Sequence, residues 1–182
     1  MEECTLCICY PTFNRGQLFI QDIKEVLSNE DRRFTISILD NCSNDGSYEE
    51  LSLINDERLI LRRNNTNIGG IANTFQSISN INNADYILFC LDKDKVNPLY
   101  ISRFIDFLEK EHPFSGFIDL YSCKKNVDFV KYCAGKDAMI NTAYLSKHPS
   151  GFFWKCAELE KYKKNIDSNL FHSFPFILDL IL

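Results

Sequence analysis

Apolar residues along this chain fall into two alternating rhythms. Thr5 to Tyr10, Phe34 to Asp40, Leu59 to Leu61 and Tyr86 to Leu91 are short, nearly unbroken apolar runs, the pattern of strands covered on both faces. Between them the spacing changes: Leu18, Ile23, Val26 and Leu27 recur with a helical period, as do Leu51 with Ile54 and then Ile71, Phe75 and Ile78. Pro98 suits the first position of a further helix carrying Ile101, Phe104, Ile105 and Leu108. Strand followed by helix, repeated, predicts an α/β fold: a mostly parallel, doubly wound sheet with flanking helices. In such sheets ligands bind beyond the carboxyl ends of the strands, where the strand order reverses.

The loops expected on that edge are all polar. They read Pro11-Thr12-Phe13-Asn14-Arg15, Asp40-Asn41-Cys42-Ser43-Asn44-Asp45-Gly46, Arg62 to Gly70, and Asp92-Lys93-Asp94. Any one of them could be an ordinary turn, since Asn, Asp, Ser and Gly are the usual turn and helix-capping residues. Four converging on one crevice point to a ligand. The last is the most pointed, because a fully apolar run leads into two carboxylates one residue apart, and such a pair calls for a divalent cation or for neutralising donors.

Composition narrows the classes. A chain of 182 residues, 45% hydrophobic and 25% charged, suits one domain over 1–182. A net charge of -5 and a pI near 5.2 exclude a general nucleic-acid binder, which needs a concentrated positive field. No apolar run approaches the roughly 20 residues that span a bilayer, and Met1-Glu2-Glu3 is acidic where a signal peptide is basic. These features predict a cytoplasmic protein. The eight cysteines lack the paired spacing of a zinc site and read as small buried thiols in a reducing compartment.

Thr12-Phe13-Asn14-Arg15, Asp40 through Ser47, Asn67-Ile68-Gly69-Gly70-Ile71-Ala72-Asn73, and Leu91-Asp92-Lys93-Asp94 with Pro98 resemble, in order and spacing, the successive signatures of family 2 glycosyltransferases of the GT-A, Rossmann-like fold. The resemblance covers about the first 110 residues. It implies a nucleotide-sugar half over 1–110 and an acceptor-side half over 111–182, the latter either complete or incomplete. It further implies that Pro11, Thr12, Asn14 and Arg15, with Asp40, hold the base and ribose of a nucleoside diphosphate sugar. Asp40 would accept the imide hydrogen bond of uracil, which favours a UDP-sugar, since a carboxylate accepts and does not donate. Asn67, Gly69 and Gly70 would present backbone N–H groups to phosphate or sugar oxygens at a helix start, with Asn73 bordering the donor. Arg62 and Arg63 either add charge near the diphosphate or belong to a solvated strand end. Asp92 and Asp94 match the Asp-x-Asp pair that holds Mg2+ or Mn2+ against the diphosphate. Lys93 departs from members that carry a third acid, so it either weakens the metal or itself touches a phosphate.

The resemblance also implies inversion at the anomeric carbon, a glycan or lipid-linked acceptor, and work in bacterial surface polysaccharide synthesis at the inner face of the cell membrane. Inversion requires a general base. The stretch His148 to Trp154 resembles the acceptor-side glycine region, with Gly151 and Trp154 at the acceptor wall, but no Glu-Asp pair follows it. Glu158, Asp167, His172 and Asp179 remain as bases, and His172 and Asp179 are the two carried forward. The apolar end Phe171 to Leu182 suggests docking onto the core, a longer chain, or contact with a protein or membrane surface. Two other readings stay open: a nucleotide-sugar-binding scaffold without a base, and a sugar nucleotidyltransferase. The latter normally carries a glycine-rich basic loop after the first strand, which Pro11 to Arg15 is not.

Overall fold

The computed structural model describes residues 4–118, 120, 130, 132, 133, 135–142 and 150–157. Its elements run β1 (Cys4–Thr12), α1 (Gly16–Leu27), β2 (Phe34–Asp40), α2 (Ser47–Ser52), β3 (Leu59–Arg63), α3 (Gly70–Ser79), β4 (Ala84–Phe89), a 3-10 turn (Pro98–Tyr100), α4 (Ile101–Glu111), β5 (Ser115–Phe117), α5 (Lys136–Thr142) and β6 (Phe152–Lys155). The six strands form one sheet in the order β3-β2-β1-β4-β6-β5. β1 pairs in parallel with β2 and β4, and β2 with β3, as the alternating pattern predicts. β6 returns antiparallel to β4 and pairs antiparallel with β5, a hairpin-like edge that the apolar pattern did not announce.

This order places the reversal between β1 and β4. From β1 the chain steps outward through β2 to β3, then crosses back to lay β4 on the other side of β1, so the loops leaving β1 and β4 lie at the switch point. The register aligns the strand ends there: Thr12 stands beside Asp40, and Asp40 beside Arg63.

Strand alternation divides the core. Leu6, Ile8 and Tyr10 of β1 face α1 and α4, meeting Phe19, Ile20, Phe104 and Leu108. Cys7 and Cys9 face the opposite way, toward Ile87, Phe89, Phe152 and Trp154. Burial raises the Cys9 thiol to about 12 and pushes the Cys7 thiol up as well, so both stay protonated and act as small apolar fillers. Not every cysteine is of that kind: Cys133 is exposed, and Cys42 and Cys156 are partly so.

Two helices bury the expected stripe only in part. α1 buries Phe19, Ile20, Ile23, Val26 and Leu27, while Leu18 is 79% exposed. Tyr10 explains the shift, because its ring meets Phe19 edge-on at 5.5 Å and draws that position inward. α3 buries Asn73 and Ser77 and leaves Ile71 52% exposed, so its inward stripe is polar. Polar burial is tolerated because each side chain is paired: Ser77 Oγ donates to Thr74 O at 2.7 Å, and Asn73 joins the amide network of the next section. Pro98 opens the 3-10 turn, with Asn97 Oδ1 accepting from Leu99 N–H at 3.0 Å, and α4 starts only at Ile101.

Candidate active site

The crevice edge is built by stitching loops to one another. The loop after β1 turns sharply, with Asn14 at φ 51° and Gly16 at φ 58°, left-handed conformations that Asn and Gly adopt most readily. Asn14 N–H donates to Ser43 Oγ at 2.9 Å, Asn44 N–H returns to Asn14 Oδ1 at 2.9 Å, and Gly16 N–H donates to Asp45 Oδ2 at 3.0 Å. The loops after β1 and β2 are therefore tied to each other. Thr12, at the end of β1, is buried, and its hydroxyl has no hydrogen-bond partner among the described residues.

Asp40 is fully buried at the end of β2. Its Oδ2 accepts from Ser43 N–H at 3.0 Å, its Oδ1 accepts from the Ser43 hydroxyl, and Arg63 Nε lies 3.3 Å from Oδ2. Arg63 in turn donates to Ser43 O, pairs with Glu49 Oε1 at 2.9 Å and stacks over Tyr48 at 4.6 Å. Arg62 turns away and donates to Asn80 O at 3.0 Å. Both arginines thus serve the framework, and neither stands as a solvated strand end.

The Asn67 to Asn73 motif forms a lattice of amides. Asn64 Nδ2 donates to Asn41 Oδ1 at 3.1 Å and to Asn73 Oδ1 at 2.8 Å; Asn41 Nδ2 donates to Asn67 Oδ1 at 2.9 Å. Asn41 Oδ1 also takes Ile68 N–H at 3.0 Å, and Asn73 Nδ2 reaches Leu39 O at 3.1 Å. Asn73 is therefore an interior residue that fastens α3 to β2. Asn67 is spent in the same way, accepting also from Gly69 N–H at 2.8 Å. Gly69 stands at φ 85°, Gly70 opens α3, and neither has any atom within 4 Å of where a Cβ would be, so the backbone there is open to a ligand. The first turn of α3 has no side-chain cap and no acid, which leaves N–H groups for an anion.

The acid pair straddles the crevice. Asp92 Oδ1 lies 2.7 Å from Arg15 Nε, and its Oδ2 accepts from Phe13 N–H at 3.2 Å. Asp94 is buried, and its Oδ2 accepts from the hydroxyl of Ser150, itself fully buried. Lys93, between them, is exposed and makes no ion pair among the described residues. Lys95 reaches back to α1, pairing with Asp22 at 3.3 Å and Glu25 at 2.5 Å. No group of three or more His, Cys, Asp and Glu is placed to hold a metal among the described residues. Two carboxylates one residue apart nevertheless suit a hard cation that takes its other ligands from phosphate oxygens and water, as Mg2+ does.

Several further residues were placed by the structure. Phe13, 42% exposed beside Asp92, is a free aromatic face within the first motif that sequence reading passed over. Ser43 and Ser150 were also passed over; Ser150 lies 56 positions from Asp94, beyond any local signal. Trp154 does not line an acceptor wall, because β6 turns it into the core beside Phe152, 6.1 Å away. Gly151 is buried where β4, β5 and β6 meet. Pro11 is buried in β1. His172, Asp179, Glu158 and Asp167 lie outside the described residues. No helix is long and apolar enough to cross a membrane among the described residues.

Comparison with known proteins agrees with this fold. The Escherichia coli (strain K12) protein WcaA, which carries the name colanic acid biosynthesis glycosyl transferase, is 34% identical over 104 residues, covering 55% of this chain and 36% of that protein. S. aureus TarS 1-349 in complex with UDP superposes with a TM-score of 0.71 at 17% identity, over 97% of this chain and 55% of that one. The mannosyltransferase PcManGT from Pyrobaculum calidifontis, in complex with GDP-Man and Mn2+, gives 0.59 at 12% identity, over 86% and 46%. This chain spans about half of those solved chains and about a third of the curated relative. The profile of glycosyl transferase family 2 matches residues 7–172, and with the six-stranded, mostly parallel sheet and its polar switch-point loops, the chain belongs to that family.

Proposed function

We propose that this domain transfers a sugar from a nucleoside diphosphate sugar, uridine-linked, to a glycan or lipid-linked acceptor with inversion, in surface polysaccharide synthesis. The observation that carries the reading is the meeting of the loops after β1 and β4 at the reversal of strand order, where Arg15 and Asp92 are 2.7 Å apart. Support comes from the Thr12 hydroxyl at the end of β1, unpartnered among the described residues, and from the uncapped start of α3. Solved chains of similar fold hold UDP, UDP-GlcNAc and GDP-Man, which supports a nucleoside diphosphate sugar as donor.

In this reading the exposed ring of Phe13 stacks on the base, and the Thr12 hydroxyl bonds the nucleoside. Asp40 holds the turn that shapes the base pocket and would accept the uracil imide by exchanging Arg63 Nε. Gly69 N–H is already given to Asn67 Oδ1, so it is Gly70, at the uncapped start of α3, that would offer its N–H to the donor oxygens. Asp92 and Asp94 would hold Mg2+ or Mn2+, which would supply positive charge where the leaving phosphate gains negative charge. Lys93 and Arg15 add cationic charge at the same place. His172 or Asp179 takes the proton of the acceptor hydroxyl.

Calorimetry with UDP, CDP and GDP tests the donor assignment. UDP should bind most tightly, and equal affinities would remove uracil recognition. A donor panel tests turnover: binding with neither transfer nor hydrolysis would leave a nucleotide-sugar-binding scaffold.

A further inference from the structure

The end of β4 and the start of β6 are locked together around one hydroxyl. Gly151 N–H donates to Phe89 O at 2.9 Å and Gly151 O accepts from Ile118 N–H at 2.7 Å. Gly151 stands at φ +102°, and a Cβ there would lie 2.1 Å from Ile118 O, so the backbone has no slack. Ser150 is delivered by this junction to the turn that carries the second acid. Its Oγ accepts from Leu91 N–H at 2.8 Å and donates to Asp94 Oδ2. The turn is itself closed by Asp94 N–H on Leu91 O at 3.0 Å. A serine hydroxyl has one hydrogen, and with an amide donor on its lone-pair side that hydrogen is committed to the carboxylate, an ionic acceptor and hence a strong one.

We propose that Ser150 is a positioning residue for the donor site: it fixes the rotation of the Asp94 carboxylate toward the divalent cation and diphosphate, so the antiparallel β5–β6 edge sets the geometry of the cation site across the sheet. This rests on the reading of Asp94 as a cation ligand. Partners behind a metal ligand commonly change metal affinity by about 10–100-fold when removed.

The test is calorimetry of UDP on the full chain, with and without Mn2+, for the wild type, Ser150→Ala, Ser150→Cys and Asp94→Asn. Ser150→Ala is expected to bind UDP like the wild type without metal and to lose about tenfold of the Mn2+-dependent tightening, with Ser150→Cys intermediate because a thiol is a weaker donor. Full tightening in Ser150→Ala beside its loss in Asp94→Asn overturns the role of Ser150 and leaves the proposed function standing. Full tightening in Asp94→Asn overturns Asp94 as a cation ligand and with it the role of Ser150, while the proposed sugar transfer still stands or falls with the donor panel. An equal fall in metal-free and Mn2+-bound affinity marks Ser150 as merely structural and overturns the inference. Should Ser150→Ala not fold, wild-type tightening in the near-isosteric Ser150→Cys overturns it in the same way.

Discussion

Arg15 sets its guanidinium Nε 2.7 Å from Asp92 Oδ1, joining the loop that leaves β1 to the loop that leaves β4. Arg15 remains 44% exposed, so the pair sits at the mouth of the crevice and contributes at most about 1 kcal/mol to stability. Its value lies in holding an acid and a base over one place. Arg15→Ala is therefore expected to leave the unfolding midpoint nearly unchanged while weakening UDP binding about tenfold, the worth of one charge-assisted contact. Denaturation and calorimetry on the same variant separate the two effects.

Phe13 offers an exposed ring whose backbone is tied to Asp92. Removing a stacking aromatic typically costs about 1–3 kcal/mol per base. Phe13→Ala should raise the dissociation constant for UDP by roughly 10–100-fold, and Phe13→Tyr should restore it. If the ring is bystander surface, both variants will match the wild type in calorimetry.

Gly151 admits no side chain. The 2.1 Å approach of a Cβ to Ile118 O, added to φ +102°, predicts that Gly151→Ala loses about 3 kcal/mol or more in urea unfolding, or fails to fold.

Asp31 offers a pH test away from the site. The hydrogen-bonded Arg33 guanidinium, 2.7 Å from Asp31 Oδ2, lowers its carboxyl to about 2. A folded-state value below the unfolded one means the contribution is present above about pH 4 and is lost as pH falls from there toward 2. Asp31→Asn should destabilise by about 1 kcal/mol at neutral pH, after screening at the partly exposed Arg33, and the deficit should close at acid pH in denaturant titrations.

The parallel half of this protein is written locally. β1 to β4 and the α4 stripe of Ile101, Phe104, Ile105 and Leu108 follow from runs and periods within a dozen residues. The β5–β6 edge does not, because β5 has 3 residues and β6 has 4, too few to show a period. Hydropathy located α3 but not its most buried positions, since it treats Asn73 as a surface residue, whereas Leu39 O and Asn64 make it an interior one. The motif residues were legible as a set; their division of labour was not. Whether a polar group faces ligand or framework depends on partners far along the chain, such as Arg63 for Asp40 and Ser150 for Asp94.

The lattice of Asn41, Asn64, Asn67 and Asn73 makes a prediction of its own. Asn73→Leu would remove the side-chain donor to Leu39 O and one acceptor of the Asn64 amide, a cost of about 1–3 kcal/mol for buried groups. Thermal melting should show that loss, while UDP affinity of the folded protein stays near wild type.

That same reciprocity bears on how this edge of the sheet can diverge. Each amide offers donors and an acceptor on one planar group, so replacing one corner leaves mismatched partners at the others. A stepwise path to an apolar edge therefore passes through unstable intermediates, and lineages should exchange these asparagines in blocks. Descendants that differ at position 73 are expected to differ at 41 or 64 as well, even though the bond geometry gives these residues to the framework of the site.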